Sequence, residues 1–133
     1  MDLIKKIEKL LIEHLKPYLL TLHDYVAISG DNLLEINCKK YKDDPTYFIL
    51  IRMGINKYNH EVYIYNIFVP NQDRKMGIGL GLIAFTYEIA KTINFALVLA
   101  DMTKGFKDAM LKRGAITTNV EDCLQVTDGT YLK

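Results

Sequence analysis

An α+β fold built on one mixed β-sheet is what this sequence predicts, and three observations predict it. Residues 3–15 place apolar side chains at helical spacing. Residues 25–69 break into short apolar runs, rich in branched and aromatic residues and separated by polar turns, which is the pattern of an antiparallel meander. Residues 61–101 read as strand, glycine loop, helix and strand, a unit that normally makes a right-handed crossover between parallel strands. The order is therefore an N-terminal helix, a meander, and one parallel step. A length of 133 residues fits a single domain over 1–133, and no linker divides it.

Each element follows from its residues. Leu3, Ile4, Ile7, Leu10, Leu11 and Leu15 make the apolar stripe of the first helix, and Lys5, Lys6, Glu8, Lys9 and Glu13 fill its other side. Glu8, Lys9 and Glu13 also interrupt what would be the apolar stretch of a signal peptide. "YVAIS" and "LLEINCKKY" flank "GDN", a hairpin turn, and "KDDP" is a second turn. "TYFILIRMGI" and "EVYIYNIFV" are the next two strands, joined by "NKYNH". Pro70 stops the last of them, because proline cannot donate to a sheet ladder. "PNQDRKM" reads as a polar loop and Gly77 to about Ile93 as a helix whose polar stripe is Thr86, Glu88, Lys91 and Thr92. "FALVLAD" suits a buried strand, and "TKGFKDAMLKRG" a short helix stopped by Gly114. "AITTN" with "CLQVTD" or "TYLK" closes the chain as a hairpin.

Composition bounds the function. Half the residues are hydrophobic and a quarter charged, ordinary for a soluble globular protein. A net charge of +1 lacks the basic excess of a dedicated nucleic-acid binder, so any anion site must be local. No stretch approaches the roughly 18 apolar residues of a membrane span. Cys38 and Cys123 lie far apart and outside any C-x-x-C pattern, so free thiols in a cytoplasmic setting and no metal site are expected.

"DRKMGIGLGL", residues 73–82, is the least ordinary stretch. Gly77, Gly79 and Gly81 open a helix in which each interior glycine costs roughly 1 kcal/mol against alanine. Either the helix packs closely against a neighbour there, or a ligand approaches the backbone. A dinucleotide-binding turn is opposed by the spacing of Gly81 and by the long gap from Val69 to Gly77, although Asp101 does close the next strand. A P-loop is excluded because no G-x-x-x-x-G-K-[ST] occurs.

What remains is R-x-x-G-x-G at Arg74, Gly77 and Gly79, between a strand and a helix. This resembles the pyrophosphate loop of the GNAT superfamily, the acyl-coenzyme A-dependent N-acyltransferases, whose loop reads [QR]-x-x-G-x-[GA] after the fourth strand. The resemblance covers about Glu61 to the C-terminus and implies a mixed, splayed sheet flanked by helices. The chemistry suits the spacing: the first turn of a helix offers unpaired N–H groups to an anion, and the helix dipole adds to the attraction. By resemblance, Arg74, Lys75, Met76, Gly77, Ile78, Gly79 and Leu80 hold the phosphates of acetyl-CoA. Phe68 and Val69 bond the pantetheine arm through their main chain, and Thr103 occupies the slot of a frequent asparagine. Gly81, outside the motif, is assigned to helix packing.

The chain also departs from that family. It begins with a helix rather than a strand. Met110 stands where a tyrosine commonly protonates the leaving thiolate, and a thioether cannot donate a proton. For the base that takes the acceptor's proton, Glu61 is the only carboxylate on the relevant strand, and Asp101 closes the next one. A solvated role for Glu61 and a helix-capping role for Asp101 are the plainer alternatives. Tyr65, with Tyr63 on the same face, lines the expected acceptor cleft. The resemblance thus implies an N-acetyltransferase that moves an acetyl group from acetyl-CoA to a primary amine of a small-molecule or protein acceptor by direct attack. A second copy of the chain is a further candidate partner. The alternative is a GNAT-fold module that binds coenzyme A or a protein without turnover, which Met110 favours.

Overall fold

The computed structural model describes residues 2–133. Helix α1 (Leu3–Leu19) starts at Asp2, whose side chain accepts from the Ile4 N–H. It buries Ile4, Ile7, Leu11, Leu15, Tyr18 and Leu19, whereas Leu10, expected in the stripe, is 43% exposed. The apolar positions outnumber those one helix face can bury, and Leu10 lies at the stripe's margin. The meander follows as β1 (Asp24–Gly30), β2 (Leu33–Lys39), β3 (Phe48–Asn56) and β4 (Glu61–Ile67), each antiparallel to the next. Asp31 and Asn32 turn the first hairpin with φ of 52° and 63°, a region Asp and Asn tolerate.

Pro70 then starts a 3-10 helix, Asn71–Met76, where a loop is expected from the polar composition. Helix α2 (Ile78–Thr92) crosses back to β5 (Ala96–Leu99), parallel to β4. After α3 (Lys104–Lys112) the chain closes with β6 (Ile116–Thr117) and β7 (Leu124–Val126), while "TYLK" forms no strand. The sheet has seven strands in the order β1-β2-β3-β4-β5-β7-β6. Among the described residues only the β4–β5 step is parallel, as the strand–helix–strand pattern requires.

Strand alternation gives the sheet one face packed under helices. Leu34, Ile36, Met53, Val62, Leu97 and Leu124 share a single buried cluster with α1, α2 and Met110 of α3. The opposite face carries Ile28, Leu33, Glu35, Arg52 and Tyr63, each paired across to a neighbouring strand, with Tyr65 stacked on Tyr63. Thr86, expected on the polar stripe of α2, is fully buried, because it falls on the same helix face as Leu82, Ile83, Ile89 and Ala90. Among the described residues no helix is long and apolar enough to cross a membrane.

Candidate functional site

Strands β4 and β5 run together from the Glu61–Ala96 pair to the Ile64–Leu99 pair, and the last bond joins the Ala100 N–H to the Ile64 carbonyl at 2.9 Å. Beyond it they part. The cause lies on the other side of β4: Met53 of β3 pairs Ile64 and Arg52 pairs Asn66, which leaves Tyr65 as an extra residue. Such a bulge bends a strand and increases its twist, so β4 turns away where β5 ends. The gap is a cleft of about 810 Å³, within the roughly 300–1,000 Å³ typical of small-molecule sites. Phe68 and Val69 form one wall, Asp101 and Thr103 the other, and Ile83 with Met110 the floor.

The mouth of the cleft is the start of α2. Gly77 precedes the helix at φ +73°, which favours glycine, and no side chain caps the helix. The Gly81 N–H already reaches the Gly77 carbonyl at 2.9 Å, while the N–H groups of Ile78, Gly79 and Leu80 have no partner among the described residues. A Cβ on Gly79 would meet only the Ile67 and Val69 methyls, at 3.7 and 4.0 Å, and one on Gly81 would meet nothing within 4 Å. Close helix packing therefore explains neither glycine, and the packing role expected for Gly81 is overturned: no neighbour comes near it.

Cations flank this helix end. The Arg74 Nε–H donates to the Val69 carbonyl at 2.9 Å, and its guanidinium lies 5.7 Å from the Phe68 ring centre. Neither Arg74 nor Lys75 pairs with a carboxylate among the described residues. The main chain expected to bond a pantetheine arm is partly engaged, since the Phe68 N–H donates to Leu50 at 3.1 Å and Arg74 takes the Val69 carbonyl. The Phe68 carbonyl and the Val69 N–H are left without a partner among the described residues.

Of the other residues singled out from sequence, Gly77, Gly79, Leu80, Arg74, Lys75 and Thr103 line the cleft, as do Tyr65 and Asp101. Met76 and Ile78 do not; they turn to a second hollow on the α1 side of the same helix end. Glu61 also stands outside the cleft, at the entry of β4, where its Oε1 accepts from the Tyr63 hydroxyl at 2.6 Å. That bond, with burial added, pushes the Tyr63 phenol up to about 12. The Tyr63 ring stacks on Tyr65 at 5.9 Å and 8°, so Glu61 adjoins the cleft only through two rings. Tyr65 in turn needs Gly54 beneath it, for a Cβ there would come within 3.0 Å of its ring. A glycine inside a strand is the sequence signal of such a close approach.

Asp101 sits at φ +52° where β5 ends. It does not cap α3; Thr103 does, its Oγ1 accepting from the Phe106 N–H at 3.3 Å. Burial, and after it the charges of Asp101, Asp122 and Glu61, push the Cys123 thiol up, with Lys107, which pairs with Asp122 at 3.4 Å, working against them. Met110 is 2% exposed and belongs to the core. Both cysteines are free. No group of three or more His, Cys, Asp or Glu is placed to hold a metal among the described residues.

One buried group had no signal in the sequence. Asp73, in the 3-10 helix, accepts from Lys40 Nζ at 2.6 and 2.7 Å and from the Tyr18 hydroxyl at 2.8 Å. It ties the segment before the glycines to α1 and to the end of β2. Burial works to raise its carboxyl, but the bonds from Lys40 and Tyr18 and the Lys40 charge outweigh it and hold the group below the usual carboxylate range.

Compared with family models, with curated proteins and with solved structures, the chain finds no match in any of the three.

Proposed function

We propose that this chain is an acyl-coenzyme A-dependent N-acyltransferase of GNAT type, moving an acetyl group from acetyl-CoA to a primary amine. One observation carries the reading: the parted strands open a cleft whose mouth is an uncapped helix start, bare of side chains at Gly77 and Gly79 and flanked by two unpaired cations. Phosphate oxygens on the N–H groups of Ile78, Gly79 and Leu80 satisfy donors that otherwise face solvent. Arg74 and Lys75 add charge. The pantetheine arm follows β4 past Phe68, with the Phe68 carbonyl and the Val69 N–H as its partners, and brings the thioester toward Tyr65.

The chemistry asked of the protein is modest. A neutral amine attacks the thioester carbon, the C–S bond breaks, an amide forms and coenzyme A leaves as its thiol. The amine's proton passes to Asp101 or to water, and the thiolate gains one from Tyr65, the tyrosine that lines the cleft. Holding both reactants in one gap supplies several kcal/mol of the barrier, of order 7 or more in well-oriented cases. Met110 supports the second reading, a coenzyme A-binding module without turnover, because the floor of the cleft offers no proton donor there.

Thermal unfolding with acetyl-CoA tests the binding step. A ligand at about 100 times its Kd adds ~2.7 kcal/mol of stability and raises Tm. Gly79→Glu, which places a carboxylate where phosphate belongs, should fold and lose that shift. Arg74→Ala should keep part of it, since the backbone donors remain. A folded Gly79→Glu variant with an undiminished shift contradicts the phosphate site.

A further inference from the structure

Gly81 is unexplained by the fold and by the cleft. Its backbone is ordinary helix, no atom outside its own helix turn and chain neighbours lies within 4 Å of where its Cβ would stand, and it does not line the cleft. It lines instead the hollow of about 370 Å³ on the α1 side of the helix start, with His14, Pro17, Met76 and Ile78. This hollow and the cleft meet at Gly77, which borders both. A chain molecule whose phosphates sit on the N–H groups of α2 has one end in the cleft, and its other end leaves over Gly77 toward Gly81.

The lining of the hollow has the character of a platform for a flat ring. Met76 is 59% exposed, and His14 and Pro17 are exposed beside it. The His14 ring lies flat on Phe85, at 4.1 Å and 8°, which fixes its plane. Nucleobases stack on such faces whatever their sequence identity, and a glycine at position 81 lets the base approach the helix backbone. The triad of Asp73, Lys40 and Tyr18 anchors one side, because Tyr18 also lines the hollow.

We infer that the α1-side hollow binds the purine nucleotide end of the acyl-coenzyme A whose pantetheine arm occupies the cleft. This rests on the acyl-CoA reading above. The test compares two probes by isothermal titration against the full chain: coenzyme A, and 4′-phosphopantetheine, which lacks the nucleotide. Coenzyme A should bind more tightly to the unaltered chain. Gly81→Leu, whose side chain fills the hollow, should weaken coenzyme A about tenfold or more and leave 4′-phosphopantetheine unchanged. His14→Ala, at an exposed position, should weaken coenzyme A several-fold with the same selectivity. If coenzyme A binds and both variants keep its affinity, the nucleotide lies elsewhere and the inference fails while the acyl-CoA reading stands. If Gly81→Leu loses both probes, His14→Ala decides: selective weakening upholds the inference, unchanged affinity overturns it. If the unaltered chain binds neither probe, the acyl-CoA reading falls and takes the inference with it.

Discussion

At Gly77 the backbone turns through φ +73°, a region in which the Cβ of an L residue crowds the following carbonyl. At Gly81 the backbone is helical and the missing Cβ faces open space. The two positions therefore respond oppositely to alanine. Gly77→Ala should cost about 1–2 kcal/mol. Gly81→Ala should stabilise the unliganded chain by about 0.5–1 kcal/mol, because it removes glycine's extra freedom in the unfolded state and adds no clash. Urea unfolding with an unchanged m-value checks both. A destabilised Gly81→Ala would mean that something packs there after all. Asp101 obeys the same residue-scale logic, adopting φ +52° with a side chain suited to it and so carrying a carboxylate into the cleft where β5 stops.

Among the elements, the 3-10 helix Asn71–Met76 governs the site most directly, since it delivers Arg74 and Lys75 to the start of α2. Its anchor is Asp73, 7% exposed, with Lys40 and Tyr18 on its carboxylate. Asp73→Asn leaves the half-buried Lys40 ammonium without its counter-charge and should cost about 1–3 kcal/mol. The pH dependence has a defined sign. A carboxyl held below its unfolded pKa stabilises the fold fully above that unfolded value, and the contribution is lost as pH falls through the depressed folded value. Urea unfolding from neutral pH into the acid range should show the unaltered chain losing more stability than Asp73→Asn. Parallel acid profiles for the two would remove Asp73 as the anchor. None of this was legible beforehand, because Asn71 to Lys75 are all polar and a buried ion pair is set by a lysine 33 residues away. The helices and strands were legible, since α1, the meander and the β4–α2–β5 crossover follow from apolar period and turn residues. Their edges were not: Leu10 stays out and Thr86 goes in, because tertiary packing decides which margin of a stripe is covered.

Taken whole, the chain puts its helices to one use and its sheet to another. α1, α2 and Met110 of α3 close one core over the sheet, and within that sheet the parting of β4 from β5 opens the cleft. The glycine loop stood out in the sequence because its glycines follow two basic residues at fixed spacing, and the structure sets it at the edge of the cleft. The Tyr65 bulge was not legible there, because it depends on how β4 registers against β3, whereas the place of Glu61 at the entry of β4 was open to reading from its position in the strand. The central claim is that this cleft joins an acyl-coenzyme A to an amine. The measurement that tests it most directly is release of free coenzyme A thiol from acetyl-CoA across a panel of polyamines, amino acids, aminoglycosides and lysine peptides, with Gly79→Glu as control. Amine-dependent release should rise with pH as the acceptor deprotonates, should shift or flatten in Asp101→Asn, and should disappear in Gly79→Glu. Acetyl-CoA bound but no thiol above background with any amine would contradict it.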